Sequence, residues 1–313
     1  MLKHLTLPRL ATLQAFFKTK TDQDLLGCYA WNQAVGSALL PILGDFEVAL
    51  RNALHRALSQ HFGGVDSFDW MMPRPNPAHA ANPAAPALLS AWHKLSRESK
   101  NNVSSVVGKI KGKKGARYVV TPDDVVAALP FGFWEVLIDG LGHGSQPAGL
   151  QASILGNVFP YAPDTLAVPH GSQAFRKRVK NLLTRIRDVR NRIGHHDSLW
   201  TTPEFNRQGL VGFIPRRPRH TVTSLRLFAN NVCWFSGWID PEIPGHIRNS
   251  DHWWSLQALL DRQALITYRK LGGKVGTYRA ILDATELPQR SKAKPGKSNL
   301  KFLERVTSRR YYY

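Results

Sequence analysis

The chain has 313 residues, enough for one large or two modest cores, and its 43% hydrophobic and 20% charged residues are ordinary for a folded protein. Its 42 Lys+Arg against 22 Asp+Glu leave a formal charge of +20, which points to a polyanionic partner: RNA, DNA or an anionic membrane surface. Cys28 and Cys233, the only two cysteines, argue against a zinc site or a disulfide framework and fit a reducing cytoplasm.

The N-terminal MLKHLTLPRLATLQAFF lacks a compact apolar stretch with a cleavage site, so it reads as an amphipathic helix rather than a signal peptide. Periodicity predicts a helix over 8–18, with Leu10, Leu13 and Phe16/Phe17 on one face. A second run covers 23–40 and a third about 43–61, where Leu43, Phe46, Leu50, Leu54 and Leu58 step by three and four. Gly63-Gly64 stops it. The Pro/Ala/Asn-rich stretch at about 64–86 reads as a long loop or irregular insert. A helix is expected near 87–108, then a basic glycine-broken loop from Lys109 to Arg117.

Thr121-Pro122-Asp123-Asp124 has the signs of a helix start: a cap residue, proline at the first helical position, then acids. The apolar VVAALPFGFWEVLIDG that follows should be buried, and it is too short and too interrupted by Pro130 and Glu135 to span a membrane. Residues 173–194 predict a long basic amphipathic helix, its stripe Val179, Leu182, Leu183, Ile186, Val189 and Ile193. A proline-bearing loop at 197–219 precedes helices at 220–239 and 251–271. The basic tail after Pro288 holds eight Lys/Arg against one Glu. With few alternating patterns and no internal repeat, the expected class is all-α. The expected division is a main helical domain over 1–240 carrying the insert, a further helix packing on it from 241–287, and a basic extension over 288–313.

The chemistry concentrates in Arg185-Ile-Arg-Asp-Val-Arg-Asn-Arg-Ile-Gly-His-His-Asp197, which contains an R-N-x3-H pattern at Arg190, Asn191 and His195. RNA can be cut without metal when its own 2′-OH attacks the adjacent phosphorus. An imidazole can move the proton, and an arginine fork can hold the phosphate. Asn191 and His195 share a helix face. Arg190 and His195, five apart, differ by about 140° around the axis. They converge on one phosphate only if the helix loosens near Gly194 or if two subunits share a substrate. The spacing alone is weak, since a basic helix ending in solvated histidines satisfies it equally. Arg56 and His61 repeat it without a polar residue after the arginine, and read as coincidence.

Three separated segments carry more. Tyr29-Ala30-Trp31-Asn32 with Leu43-Gly-Asp-Phe-Glu-Val-Ala-Leu-Arg-Asn52, then Val125-Val-Ala-Ala-Leu-Pro-Phe-Gly-Phe-Trp134, then Val189-Arg-Asn-Arg-Ile-Gly-His-His-Asp197, together resemble the Abi-like (abortive infection) proteins of the HEPN superfamily, in order and separation. The resemblance covers roughly residues 22–240. It implies a HEPN-like helical bundle acting as a cofactor-free ribonuclease, dimeric with two motifs facing across a cleft. Arg190 and His195 would be catalytic, supported by Asn191. It also implies phage defence or a toxin–antitoxin system, with an antitoxin or inhibitory partner; from the cysteine usage and the apolar stretches, the expected location is the cytoplasm and no membrane is expected as a partner. Asp197 stands where glutamate is more usual, and the insert and tail have no counterpart in the family pattern.

Around the motif, His196 is an alternative base. Lys177, Arg178, Lys180, Arg185, Arg187 and Arg192 suggest a phosphate-binding face, with Arg51 and Asn52 lining the same cleft. Glu47 and Arg51 have the spacing of a local ion pair. Phe131, Phe133 and Trp134 read as core, and Trp253-Trp254 as packing rather than base stacking. The rival reading is a non-catalytic RNA-binding protein partnered with a small structured RNA. A DNA-binding module has no helix-turn-helix or zinc signature to support it.

Overall fold

Local start and stop signals place most of the elements. In the computed structural model, which describes residues 2–72, 74–75, 77–85, 88–89, 95–274 and 276–281, helix makes up 66% and strand 2%. The all-α class holds. Helix α1 (Leu7–Phe17) has proline in its first turn and ends where Lys18 enters the left-handed region. Helix α2 (Asp22–Phe62) runs unbroken for 41 residues, merging the two helices expected at 23–40 and 43–61. Pro41 removes one N–H from its interior, which leaves the Ser37 carbonyl without its helical donor. Ser37 lies on an exposed face, where water can serve that carbonyl.

The insert is not wholly irregular. Strand β1 (Arg74–Pro75) pairs antiparallel with β2 (Leu88–Leu89), and between them Pro77 opens the five-residue α3 (Pro77–Ala81). Helix α4 (Arg97–Lys114) reaches six residues beyond the expected end at 108. Its N-cap Ser96 accepts from the Ser99 N–H, and Lys111, Lys113 and Lys114 sit at the negative end of its dipole. The basic stretch expected as a loop is therefore mostly helix.

Helix α5 (Pro122–Ala128) starts where the sequence signals it, and the structure adds a capping box, Thr121 and Asp124 bonding each other's backbone N–H. Pro130 separates it from α6 (Phe131–Gly140). Next come α7 (Leu150–Val158) and α8 (Gln173–Gly194), then a bulged antiparallel pair β3 (Glu204–Phe205) and β4 (Val211–Phe213). The chain continues with α9 (Pro218–Ser236), α10 (Ile243–Arg248), α11 (Asp251–Leu259) and α12 (Arg262–Leu271). Asp261 caps α12 and splits the single helix expected at 251–271. The tail after Pro288 lies outside the described residues.

The compact units do not follow chain order. Among the described residues, one contains those up to Trp31 together with those from Gln257 onward, and the other those from Asn32 to Leu256. The segment expected at 241–287 is thus divided at residue 256. In the first unit, Trp31 donates to the Leu259 carbonyl at 2.9 Å and meets Phe17 edge-on, with ring centroids 6.2 Å apart. Gly27 lies against the backbone of Tyr268 and Arg269, leaving no room for a side chain.

Arg269 donates to Asp24 through Nε at 2.5 Å and Nη2 at 2.8 Å. That guanidinium holds the Asp24 carboxyl below its ordinary 3.8. A carboxyl lowered in the folded state stabilises fully above its unfolded pKa, and the gain disappears as pH falls through the folded value. Asp24→Asn is therefore expected to cost about 1 kcal/mol at pH 7. The gap in melting temperature from wild type should close as pH drops below the ordinary 3.8, which a thermal-unfolding series in pH checks directly.

In the second unit α6 and α8 make the most extensive helix–helix contact. Phe131, Phe133 and Trp134 are buried, as expected. Phe159 stacks on Phe235 at 5.5 Å, and both pack against Trp238. By length and composition α2 also qualifies as a membrane span. In this unit, however, its Val35, Leu39, Ile42, Phe46, Leu50, Leu54 and Leu58 are fully buried in protein, the pattern of a core helix.

Candidate active site

Helix α8 carries the motif. Its N-cap Ser172 accepts from the Phe175 N–H, and Phe175, Val179, Leu182, Leu183, Ile186 and Val189 form its buried stripe. The stripe fixes which residues face outward, and Arg190, Asn191, His195, His196 and Asp197 are all exposed.

The helix stays regular through Gly194. The His195 N–H bonds the Asn191 carbonyl at 2.9 Å, so loosening at the glycine does not occur. The turn comes two residues later. His196 takes φ 52°, its N–H meets the Ile193 carbonyl at 3.0 Å, and the Asp197 N–H meets Arg192 at 2.7 Å. This is a Schellman ending with histidine where glycine is usual. The bond His196 Nδ1 makes with Gln33 Oε1, at 2.6 Å, helps hold that left-handed position. The contact occupies Nδ1 and leaves Nε2 as the ring's acceptor, so His196 keeps the chemistry of the alternative base while its ring is held in the turn.

Two residues of α2 complete the site. Asn32, 2% exposed, donates Nδ2 to the Asp197 carbonyl at 3.0 Å and accepts the Leu199 N–H on Oδ1 at 2.9 Å. One buried amide thus clamps the chain leaving the motif. Glu47 reaches Arg190 Nε at 3.9 Å, in place of the local pair expected with Arg51. That contact is long and partly exposed, so it restrains Arg190 weakly. The other Arg190 nitrogens meet no protein acceptor among the described residues, and neither does the Asn191 amide.

The surrounding basic residues divide sharply. Arg178 is not a phosphate ligand. It is 2% exposed, lies 4.6 Å from the Trp238 ring centre and donates Nε to the Arg207 carbonyl at 3.0 Å. Burial pushes its pKa down from the ordinary guanidinium range. Arg187 donates at 2.6 Å to the buried carboxylate of Glu135, which also accepts from Thr184 at 2.6 Å. Arg192 is spent on the Ser198 carbonyl and the Thr201 hydroxyl, at 3.1 and 3.2 Å. Lys180 pairs with Asp139 at 2.8 Å and Arg185 lies 3.9 Å from Asp188. Arg51 is half-buried and donates to the Ala127 carbonyl at 3.4 Å. Of the expected RNA-binding set, Lys177 and Asn52 are exposed. Trp253 is half-buried and Trp254 38% exposed.

The described surface thus has an arginine, an amide and an imidazole at one helix end, braced by Asn32 and Glu47 from the N-terminal signature. A family model described as Abi-like protein matches residues 3–201, from the first turns to the threonine that holds Arg192. The chain belongs to the Abi-like family. That match begins earlier than the resemblance read from sequence and ends before α9. No curated protein and no solved structure matches the chain. The Abi-like segment thus contains the whole of α2, α8 and the clamped loop, and membership is consistent with a role in abortive infection.

Proposed function

We propose that this Abi-like protein is a HEPN-type, metal-independent endoribonuclease of phage defence or a toxin–antitoxin system, working as a cytoplasmic homodimer. One observation carries the reading. Arg190, Asn191 and His195 are all exposed at the end of α8, and Arg190 makes only a long contact with Glu47, whereas Arg187 and Arg192 are tied into the fold. Arg190 pairs with the non-bridging oxygens of a substrate phosphate, displacing its long contact with Glu47. His195 takes the proton from the 2′-OH. The O2′–P bond forms, the P–O5′ bond breaks, and a second imidazole protonates the leaving oxygen. Because the helix is regular, Arg190 and His195 of one chain diverge by about 140°, which favours two copies supplying the pair. Asn191, on the same face as His195, supports the imidazole. An antitoxin or other inhibitory partner would cover this end of α8.

The test is the chemistry of the ends. Incubation with labelled RNA should give fragments ending in a 2′,3′-cyclic phosphate and a 5′-OH, and Arg190→Ala should slow their release by about 100-fold or more. Fragments bearing a 5′-phosphate reject the mechanism.

A further inference from the structure

On α2, nine residues past Glu47, Arg56 lies about 14 Å further along the axis and on the opposite side of the helix. It borders a cavity of about 590 Å³ lined by Ala53, Arg56, Ala57, Gln60, His61 and Asn157, with Ile239. The lining follows from helical spacing: residues 53, 56, 57, 60 and 61 fall on one face of α2. Ala53, Ala57 and Ile239 are buried and form an apolar floor, while Arg56, Gln60, His61 and Asn157 stand exposed around it. The alanines make the room, since a longer side chain at either position would fill it.

Among the described residues, none of these four polar side chains makes a hydrogen bond or ion pair within the protein. His61 has a ring contact with Phe62, centroids 4.7 Å apart. A guanidinium, two amides and an imidazole thus converge on one space with their hydrogen-bonding capacity unspent, and all four are carried on or at the ends of helices. Among the described residues, no carboxylate lines the cavity. The size lies within the range of pockets that enclose small molecules. A bidentate guanidinium is matched to phosphate, and side-chain amides to the polar edges of a base or ribose.

We propose that this cavity binds a nucleoside monophosphate, with Arg56 on the phosphate and Gln60 and Asn157 on the sugar or base. The site is separate from Arg190 and His195, so the Arg56–His61 spacing, meaningless as a second catalytic motif, marks a binding pocket instead. It does not rest on the ribonuclease reading.

Titration calorimetry of the full chain with AMP, with UMP and with a ten-nucleotide RNA distinguishes a free nucleotide from a strand phosphate. At least one mononucleotide should bind wild type. Arg56→Gln should weaken it at least tenfold, Ala57→Leu should block it, and the surface control Arg216→Ala should leave it unchanged. Arg56 is exposed, so the Arg56→Gln protein is expected to fold, which keeps the test decisive if Ala57→Leu does not. Three results overturn the proposal: neither mononucleotide binds, whether or not the RNA does; Arg56→Gln binds as tightly as wild type; or Arg216→Ala weakens binding as much as Arg56→Gln.

Discussion

Replacing His195 with alanine is expected to lower RNA cleavage by about 10²–10⁴-fold, the usual contribution of a positioned acid–base group. The same change should leave the stability within about 0.5 kcal/mol of wild type, because His195 is exposed at the helix end. The two readouts together separate a chemical role from a structural one. His196→Ala should behave differently. It removes the Nδ1 contact with Gln33 and loosens the turn, so it should cost several-fold in rate rather than orders of magnitude. Equal and large losses in both variants would mean that the Schellman turn, rather than the His195 imidazole, is what cleavage needs. Single-turnover rates with saturating protein measure this without interference from product release.

Asn32→Ala is expected to give the largest loss of stability among the polar residues of the site, about 2–3 kcal/mol. Its amide is buried and serves two backbone groups at once, the Asp197 carbonyl and the Leu199 N–H. Removing it leaves both without a partner, and each unmet buried group costs about 1–3 kcal/mol. Asn32→Asp makes a sharper probe. The carboxylate still accepts from Leu199, but it cannot donate to Asp197, and it places a charge where the residue is only 2% exposed. Its loss should match or exceed that of alanine. Urea unfolding of the three proteins checks this, with unchanged m-values as evidence that the unfolding reaction is the same. Both variants should also cleave more slowly than wild type, since the loop they release is the one that fixes His196 and Asp197.

The parts legible in the sequence were those specified by neighbouring residues. The stripe of α8, the helix start at Thr121 and the burial of Phe131, Phe133 and Trp134 all follow from spacing within one segment. The continuity of α2 was obscured by Pro41 and Gly44, which locally signal a break that packing on both sides overrides. The fate of each arginine was not legible either. Arg178, Arg187 and Arg192 look alike on a basic helix, but Trp238, Glu135 and Ser198, which consume them, come from distant positions. The Glu47–Arg190 contact has the same origin: two motifs recognised separately proved to meet in space. The Tyr29 to Asn32 signature acquired a physical meaning only in the fold. There Trp31 hydrogen-bonds the α11 backbone and Asn32 clamps the chain after α8.

Whether the substrate's own 2′-OH is the nucleophile is answered most directly by substituting it. Once a cleaved linkage is mapped, the same RNA is made with a single 2′-deoxy nucleotide on the 5′ side of that phosphate, and both strands are incubated with wild-type protein in excess EDTA. The all-ribose strand should be cut at the mapped linkage and the substituted strand left intact there. Cleavage of the deoxy linkage, or loss of all cutting in EDTA, would contradict a mechanism built on Arg190 and His195 alone.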